Sequence, residues 1–497
     1  MTQRLTFGTA GLRGPLGEGP LCMNVEQVEL AAKAIAAWLP DASAVVIGRD
    51  ARHGSDDFAN VTARVLVDAG HRPQVFAQRV PTPVVAHRVG ASDAAAGVMV
   101  TASHNPATDN GYKVYTADGG QLQPTDAAAI EATMAELDWP SLVDTGLPVD
   151  IEMIGDAEVD SYVNAISSAV GGAGERGVTI AYTAMHGVGG DLFRRVLERG
   201  GHRVHSVTEQ QHPDPDFPTA SFPNPEEPGT LDLVTALADQ VAADVVLAND
   251  PDADRLAVAV KRESGWERLT GDQIGVLLAW QVLEVAERPC TVASSIVSST
   301  LLSKLATARR AEYESTLTGF RWLARAGSTA APLAFAYEEA LGYSVVPAIR
   351  DKDGISAGLA FANLVASLKA ADRTVDDVLA ELANEFGHHA TAQVTIRFEG
   401  EGSKAELEDV MSRLRKSSPR SIGEFNILEV IDLAEPNGVF PISNVLLYRL
   451  DGGRLIVRPS GTEPKIKAYL ETIGTDELAV RRAIETLRTV TGDLLRA

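Results

Sequence analysis

The sequence has 497 residues, of which 45% are hydrophobic and 22% charged, a composition typical of a globular protein with three or four domains. It contains only two cysteines, Cys22 and Cys290, which excludes a disulfide framework and a cysteine-rich metal site and predicts a reducing, cytoplasmic location. The formal net charge of −23 argues against nucleic acid or a membrane surface as partner, and no apolar run reaches the roughly 18 residues of a membrane span.

Three segments share one order of predicted elements: an apolar strand, a polar or glycine-rich loop, and a helical pattern. The strands are 44–47, 178–181 and 291–293, and the helices that follow them are 56–69, 191–199 and 300–308. Their spacing of about one domain length indicates related α/β domains in tandem. A proline-rich stretch, 212–228, is predicted to be a long surface loop inside the second unit.

The last hundred residues have a different pattern. The predicted strands are 390–398, 445–449 and 454–457, and the predicted helices are 404–414 and the segment from 476 onward. Strands and helices in that order favour a smaller α+β domain.

The segment Thr101–Pro106 follows an apolar strand, and loops at strand ends of α/β sheets are where active-site residues lie. It places Ser103 beside His104, with Lys113 ten residues further on. The Gly-x-Ser-x-Gly pattern of hydrolases is absent, so that nucleophile arrangement is excluded. On these residues alone, an ordinary Ser/Asn turn before the proline remains an alternative.

A tight loop between two apolar strands carries three carboxylates, Asp250, Asp252 and Asp254. Carboxylates at this spacing converge on a hard cation. An EF-hand is excluded, because its sixth position would be Arg255 rather than Gly and its twelfth Lys261 rather than Glu. Three carboxylates that leave places for water or a phosphate oxygen suit Mg²⁺, although a solvated acidic turn would use the same residue types.

The segment Arg458–Lys465, with Lys467 close behind, combines hydroxyls, a glycine and basic side chains in one turn. Such a turn is typical of an anion site, and an acidic protein that binds phosphate would need this local positive charge. A plain turn with exposed basic residues remains possible.

Two segments are less specific. Phe7–Gly14 has glycines at 8, 11 and 14 and Arg13, which would allow close approach to a ligand, but it is not a dinucleotide fingerprint. Tyr337–Tyr343 contains adjacent carboxylates that could accept hydrogen bonds from sugar hydroxyls, and Arg350–Gly354 follows it. An ordinary acidic loop would explain these residues equally well.

Taken in this order, the five segments resemble the α-D-phosphohexomutase family of phosphoglucomutases and phosphomannomutases, over residues 7–469. The resemblance implies an α/β fold with four domains around a central cleft, three similar α/β domains and a C-terminal α+β domain. The expected domains are 1–158 with the phosphoserine loop, 159–270 with the metal loop, 271–388 with the sugar loops, and 389–497 with the phosphate loop.

The resemblance also implies the catalytic roles. Ser103 would be the phosphoserine, Lys113 the general acid/base, and Arg255 would steady the transferring group. His104 and Arg13 would lie beside them. The metal would be Mg²⁺, held by a Ser103 phosphate oxygen together with Asp250, Asp252 and Asp254.

The substrate would be a small sugar phosphate held by two groups of residues. The sugar-facing residues implied by the resemblance are Glu338, Thr318, Gly319, Arg321 and Lys352. The residues implied to hold the unreactive phosphate are Arg458, Ser460, Gly461, Thr462 and Lys467.

The implied reaction interconverts hexose 1-phosphate and hexose 6-phosphate through a bisphosphate, with a sugar 1,6-bisphosphate as activator. The family's usual Glu-x-Ser is Glu338-Glu339-Ala340 here, so the choice between glucose and mannose stays open. The sequence is most similar to the branch with phosphoglucomutase-2 and phosphopentomutase-like enzymes, which makes pentose 1/5 transfer the alternative. A metal-dependent sugar phosphatase and a non-catalytic sensor are the other classes considered, and a monomer or homodimer is expected.

Overall fold

Four β-sheets, one after another along the chain, form the frame of the protein in the computed structural model. The structure describes residues 4–7, 11–140, 143–149, 151–398, 403–417, 419–436, 438–460 and 465–496. Within these ranges the first three sheets mix parallel and antiparallel strands, whereas the fourth is antiparallel throughout. We refer to the four units as domains I to IV.

Domain I contains a sheet of strand order β1-β5-β4-β2-β3-β6. Its strand β4 is buried at all five positions, as expected of a strand covered on both faces. The elements are β1 (Leu12–Pro15), α1 (Val25–Trp38), β2 (Ala44–Arg49), α2 (Ser55–Asp68), β3 (Arg72–Phe76), α3 (Thr82–Gly90), β4 (Ala96–Val100), β5 (Asp109–Thr116), α4 (Pro124–Glu136) and β6 (Glu152–Ile154).

Domain II has a sheet of order β11-β10-β9-β7-β8. Its elements are α5 (Asp156–Val170), β7 (Thr179–Thr183), α6 (Gly190–Arg199), β8 (Arg203–Ser206), α7 (Asp232–Gln240), β9 (Val245–Ala248), β10 (Ala257–Arg262) and β11 (Gly265–Arg268). The stretch 211–228 contains neither helix nor strand, as predicted, but it is not wholly at the surface, because Phe217, Ala220 and Asn224 are buried.

Domain III has a sheet of order β13-β12-β14-β15. Its first helix begins with a capping box, in which Thr270 and Gln273 satisfy each other's backbone N–H. The elements are α8 (Gly271–Val285), β12 (Thr291–Ser295), α9 (Leu301–Ala308), β13 (Glu312–Thr316), α10 (Phe320–Leu323), β14 (Leu333–Glu338), β15 (Gly342–Ser344), α11 (Gly354–Ala370) and α12 (Val375–Phe386).

Domains I to III repeat one four-stranded arrangement. The spatial order is fourth-third-first-second in each: β5-β4-β2-β3, β10-β9-β7-β8 and β15-β14-β12-β13. The first strand is parallel to the second and third, and the fourth is antiparallel to the third. The tandem α/β domains expected from the sequence are therefore confirmed, and the connection between the third and fourth strands is an equivalent loop in all three.

Domain IV has a sheet of order β16-β21-β20-β19-β18-β17 packed against two helices, which is an α+β unit. Its elements are β16 (His388–Arg397), α13 (Ser403–Lys416), β17 (Ser421–Ile422), β18 (Phe425–Asp432), β19 (Leu446–Leu450), β20 (Gly453–Pro459), β21 (Lys465–Gly474) and α14 (Glu477–Arg496). The predicted strands and helices of this region coincide with β16, α13, β19, β20 and α14.

Helix α11 packs between domains II and III. It contacts α5 and α6 of domain II as well as α8 of its own domain, which is why it is apolar almost throughout. Among the described residues no single helix is long and apolar enough to cross a membrane, and α11 and α12 pass that test only as a pair bent by 90°.

The sequence-based boundaries can be compared with these elements. A boundary after residue 158 lies inside α5, and one after 388 lies inside β16, whereas the boundary after 270 directly precedes α8. Boundaries after 155 and 387 would leave α5 and β16 whole, and we propose these positions.

Domain IV is joined to domain III through a buried carboxylate on β21. Glu471 accepts hydrogen bonds from Arg454 Nε at 2.7 Å, Ser299 Oγ at 2.6 Å and Thr300 N at 2.9 Å, and contacts His389 Nδ1 at 2.8 Å. Burial alone would raise the pKa of Glu471, but Arg454 and His389 outweigh it and lower the pKa to about 2. The ionised carboxylate therefore stabilises the junction between these two domains.

We expect Glu471→Gln to lower the free energy of unfolding by about 3 kcal/mol at pH 7. Because the folded pKa is depressed, this contribution is complete above the ordinary value of 4.5 and is lost as pH falls toward 2. Urea titrations should therefore give a constant difference between wild type and variant from pH 8 to about 5, and a shrinking difference below. Asp432→Asn, which removes a partly exposed pair with Arg415, should cost less than about 1 kcal/mol. A difference that grew on acidification would contradict this role for Glu471.

Candidate active site

Ser103 lies in the β4–β5 connection of domain I and is 3% exposed. Its backbone is left-handed, with a φ of 52°, and its N–H donates to Thr101 Oγ1 at 2.8 Å. A non-glycine residue in this conformation costs about 1–2 kcal/mol. One guanidinium holds the turn in place: Arg52 donates to the carbonyls of Ser103, Asn105, Pro106 and Asp109.

The three aspartates lie in the β9–β10 connection, the equivalent loop of domain II. Asp250, Asp252 and Asp254 are fully buried, and their carboxylate oxygens lie within 4.8 Å of one another. The turn uses a left-handed residue, Ala253, with a φ of 55°. Arg255 N donates to Asp250 Oδ1 at 3.0 Å, which fixes that carboxylate.

The two loops meet although their residues are far apart in sequence. Ser103 Oγ donates to Asp250 Oδ2 at 2.8 Å, and Thr82 Oγ1 at the start of α3 donates to Asp252 Oδ2 at 2.6 Å. Domain I therefore contributes two hydroxyls, and domain II the carboxylates, of a single cluster.

Two lysines neutralise part of this negative charge. Lys113 Nζ on β5 lies 2.7 Å from both Asp252 Oδ2 and Asp254 Oδ2, and Lys352 Nζ lies 2.7 Å from the same Asp254 oxygen. Burial would lower the pKa of Lys113, but the attraction of Asp252 and Asp254 outweighs it and raises the pKa. In this arrangement Lys113 is charged and donates hydrogen bonds to both carboxylates.

The remaining carboxylate oxygens fit a metal ion. Asp252 Oδ1 and Asp254 Oδ1 are buried and have no hydrogen-bond partner among the described residues. Buried carboxylate oxygens without a partner are costly unless a cation or proton meets them. Together with Asp250 and Ser103 Oγ they form an all-oxygen donor set, which suits a hard divalent cation.

The close packing of charged groups in the cluster shifts the pKa values of two of its carboxylates in opposite directions. Burial and the neighbouring charges of Asp252 and Asp254 raise the pKa of Asp250. The pKa of Asp252 falls instead, because the attraction of Lys113 and hydrogen bonds from Lys113 and Thr82 overcome the effect of burial. A bound cation would remove the repulsion that raises the pKa of Asp250.

His104 lies beside the hydroxyl of Ser103, with its Nδ1 3.1 Å from Ser103 Oγ. Burial, with repulsion from Arg255 and Arg13, holds the pKa of His104 well below its usual value, so the ring is neutral near pH 7. Phe222, in the loop 211–228, meets this ring edge to face with centroids 6.3 Å apart. That loop therefore covers the site from domain II.

Two arginines approach the cluster from opposite sides. Arg13 Nη1 donates to Asn105 Oδ1 at 3.1 Å, and its Nε is buried without a hydrogen-bond partner among the described residues. Arg255 Nε lies 3.8 Å from Asp250 Oδ2, and its Nη1 donates to Glu226 Oε2 at 3.3 Å. Both guanidiniums lie close enough to the Ser103 loop to meet an anion bound there.

The third equivalent loop, β14–β15 of domain III, carries the predicted sugar-facing carboxylates. Its left-handed residue is Leu341, with a φ of 63°, and Leu341 O accepts from Leu256 N at 3.1 Å, which joins the loop to the end of the metal loop. Burial raises the pKa of Glu338. Burial and the charges of Glu338 and Asp272 raise the pKa of Glu339 to about 7.

The second predicted sugar loop lies between β13 and α10. Gly319 precedes α10 with a φ of 110°, a conformation that favours glycine. Arg321 is 6% exposed and lines a cavity of about 20 Å³ with Phe7 and Lys113. Thr318–Arg321 is thus placed at the contact of domains I and III, next to the acid/base candidate.

The predicted phosphate residues lie on facing strands of domain IV. Arg458 on β20 pairs in register with Lys467 on β21, and Ser460 N donates to Lys465 O at 2.8 Å. Burial lowers the pKa of Lys467, against the attraction of Glu339. Gly461 and Thr462 lie outside the described residues.

A cavity between domains II, III and IV lies near the predicted phosphate residues. Tyr469, which is hydrogen-bonded to Arg458, lines a cavity of about 180 Å³ together with Glu339 of domain III and Glu226 of domain II. A larger cavity of about 640 Å³ between α1 and α2 is lined by none of the predicted site residues.

Two residues of this site were missed in the sequence. Arg52 follows β2, the parallel neighbour of β4, and Thr82 follows β3, the next parallel strand, and both side chains point to the cluster. The carboxyl ends of parallel strands meet at one edge of a sheet, so polar residues there were a usable signal. The sequence did not reveal that Arg52 donates hydrogen bonds to four backbone carbonyls of another loop.

Family models of phosphoglucomutase/phosphomannomutase match four successive parts of the chain. Residues 4–141, 160–265 and 270–386 match the alpha/beta/alpha domains I, II and III, and residues 426–487 match the C-terminal domain. These matches confirm both the resemblance and the four-domain fold.

Comparison with individual proteins supports the same family and fold. A probable phosphomannomutase of Haemophilus influenzae is 39% identical and covers 91% of this chain and 94% of its own length. A probable phosphoribomutase of Schizosaccharomyces pombe is 34% identical, covering 99% and 91%. The crystal structure of a putative phosphomannomutase from Thermus thermophilus shares the fold over the whole of both chains, with a TM-score of 0.78 at 21% identity. The protein is a phosphomutase, an isomerase that transfers phosphate within a sugar, and the chain belongs to the phosphoglucomutase/phosphomannomutase family.

Proposed function

We propose that this protein interconverts hexose 1-phosphate and hexose 6-phosphate, with glucose or mannose as the sugar, through a phosphorylated Ser103. The observation that carries the proposal is the 2.8 Å contact between Ser103 Oγ and Asp250, which places one hydroxyl of domain I inside a carboxylate cluster of domain II. Mg²⁺ held by Asp250, Asp252, Asp254 and a phosphate oxygen would neutralise charge on the transferring group.

The chain's own residues then have defined tasks. Phospho-Ser103 gives its phosphoryl group to the free hydroxyl of a sugar phosphate, so the bond from phosphorus to Ser103 Oγ breaks and a bond to the sugar oxygen forms. Charged Lys113 gives a proton to Ser103 Oγ as it leaves and regains one from the attacking sugar hydroxyl, so the net proton moves from the sugar oxygen to the serine, while Arg13 and Arg255 neutralise the phosphoryl oxygens. Neutral His104 is in hydrogen-bond contact with Ser103 Oγ once the serine is free.

The product of this half-reaction is a sugar bisphosphate, which must turn around before the second transfer. Arg458, Ser460 and Lys467, with Gly461 and Thr462 in the same turn, would hold whichever phosphate is not reacting. Glu338 would accept hydrogen bonds from sugar hydroxyls, with Thr318, Gly319, Arg321 and Lys352 around it. A 1,6-bisphosphate would also phosphorylate a bare Ser103, which makes it the expected activator.

Pentose 1/5 transfer is the second candidate. It is favoured by the phosphoribomutase of Schizosaccharomyces pombe, and by Ala340, which lacks the hydroxyl of the family's usual Glu-x-Ser beside the sugar carboxylate. The shorter sugar would need its 5-phosphate to reach the same domain IV turn.

A panel of substrates decides between these candidates. With Mg²⁺ and trace glucose 1,6-bisphosphate, we expect kcat/KM for glucose 1-phosphate or mannose 1-phosphate to exceed that for ribose 1-phosphate by about tenfold or more, or about 1.4 kcal/mol of transition-state binding. A reversed order would replace hexose by pentose as the substrate. Release of inorganic phosphate without isomer formation, unaffected by the bisphosphate, would instead indicate a phosphatase.

A further inference from the structure

The loop between β15 and α11 contains three consecutive charged residues that are all buried. Asp351 is 0%, Lys352 7% and Asp353 1% exposed. Three adjacent buried charges are costly unless each has partners, so the partners show what the loop does.

Asp351 is bonded to domain I. Its Oδ2 accepts from Tyr115 OH at 2.8 Å, and its carboxylate accepts from Gln121 Nε2 at 3.0 and 3.1 Å. Tyr115 lies two residues after Lys113 on β5, so both side chains project from the same face of the strand. Asp351 therefore holds the strand face that also presents Lys113.

Asp353 is bonded to domain II. Its Oδ1 accepts from Tyr162 OH on α5 at 2.8 Å and caps α11 through the N–H groups of Ile355 and Ser356. The two aspartates thus fix this domain III loop to two different neighbouring domains through one tyrosine each.

Lys352, between them, points to the reacting groups. Its Nζ lies 2.7 Å from Asp254 Oδ2 and 3.8 Å from Asp351 Oδ1. Its stem packs against Gly342, where the absence of a side chain provides the space. A Cβ added at Gly342 would lie only 2.8 Å from Lys352 Cδ and 3.0 Å from Glu338 Cγ. The ammonium of Lys352 therefore contacts a carboxylate of the proposed metal site, while its stem lies beside that of Glu338, the predicted sugar-facing carboxylate.

We propose that Asp351 and Asp353 are positioning residues that hold Lys352 against Asp254 by fixing domains I, II and III around it. The inference rests on the proposed function, since it gives Lys352 a task in that site. Lys352 and Lys113 share one oxygen of Asp254, which leaves Asp254 Oδ1 free for the cation. Release of Lys352 would leave that carboxylate with Lys113 as its remaining ammonium partner and therefore more negative.

Kinetics on the full-length enzyme test whether Asp351 acts through Lys352. We expect Lys352→Met to lower kcat about 100-fold and Asp351→Asn about 30-fold, with little change in KM. The double variant should be no worse than Lys352→Met alone, because residues that act as a unit are not additive. Multiplied losses, about 3,000-fold, would overturn the proposal.

A matched control removes another contact between domains I and III. Asp118 accepts from Arg325 and Arg350 but touches neither Asp351 nor Lys352 in the described contacts. We expect Asp118→Asn to keep kcat within about twofold of wild type. A loss equal to that of Asp351→Asn would show that the effect is merely structural and would refute the positioning role.

A second measurement needs no turnover and no change of charge. Tyr115→Phe keeps the carboxylate of Asp351 and its contact with Gln121 but removes the hydrogen bond from Tyr115. If Lys352 then leaves Asp254, calorimetry should show Mn²⁺ binding about threefold more tightly than to wild type, because one positive charge has moved away. Unchanged Mn²⁺ affinity would overturn the proposal. Failure of the wild type to isomerise any sugar phosphate would overturn the proposed function instead and would leave this calorimetric result valid.

Discussion

Ser103→Ala is expected to lower mutase kcat by at least about 10⁴-fold, because the variant has no oxygen to carry the phosphoryl group. The wild type, incubated with glucose 1,6-bisphosphate, should gain about 80 Da in intact mass from one phosphate, and the variant should gain nothing. The hydroxyl of Ser103 lies in the carboxylate cluster, 2.8 Å from Asp250 Oδ2, and the mass gain would reveal whether another hydroxyl, such as that of Thr82 beside Asp252, accepts phosphate in its place.

Two further variants distinguish the effect of losing the Ser103 hydroxyl from other effects of a substitution. Ser103→Gly should be equally inactive although glycine adopts the φ of 52° without strain. Ser167→Ala, which removes a hydroxyl bonded only to Val163 O within α5, should have wild-type turnover and the same mass gain. If Ser103→Ala kept both its phosphorylation and full turnover, the phosphoserine mechanism would be wrong.

Much of the site was predictable because its residues follow strands. The apolar run before Thr101 predicts β4, and the runs on either side of the aspartates predict β9 and β10, so these loops could be placed at sheet edges. The spacing of the three carboxylates predicts a cation site without further information. Lys113 was placed by resemblance, and its pairing with two aspartates follows only from the folded chain.

Other features depend on contacts that no local pattern encodes. Leu12–Pro15 forms β1 only because it pairs antiparallel with β5, and the glycine-rich segment around it reads as a loop. Arg52 bonds carbonyls more than fifty residues away, and Asp351 bonds Tyr115 from another domain. Each of these contacts requires the relative placement of elements far apart in the sequence, within one sheet or in two domains, which hydrophobic periodicity does not specify.

The repeated loop position was also visible only in the fold. Ser103, Ala253 and Leu341 are left-handed residues in the equivalent third-to-fourth strand connections of domains I, II and III. In the sequence these three loops share no motif. The equivalent turn of each domain therefore places a different group at the site. Domain I provides a hydroxyl, domain II the carboxylate cluster, and domain III the predicted sugar-facing glutamates.

Asp252→Asn should have the second largest effect, a loss of at least about 10³-fold in kcat together with loss of divalent-cation binding. Asp252 supplies one of the two unpartnered carboxylate oxygens and also anchors Lys113 at 2.7 Å. Its removal weakens the cation site and leaves the buried ammonium of Lys113 with Asp254 alone, which is costly. Addition of about 10 mM Mg²⁺ should raise the thermal midpoint of wild type, through binding to the folded state, but leave that of the variant unchanged.

Asp272→Asn provides the control for loss of a buried carboxylate elsewhere. Asp272 accepts from Ser299 N at 2.6 Å and from Thr391 Oγ1 at 2.9 Å, at the junction of domains III and IV. This variant should lose stability, because its buried donors lose a charged acceptor, yet its midpoint should still rise with Mg²⁺ as in wild type. A wild-type Mg²⁺ shift in Asp252→Asn, or an equal loss of that shift in Asp272→Asn, would show that the cation binds somewhere other than the three-aspartate loop.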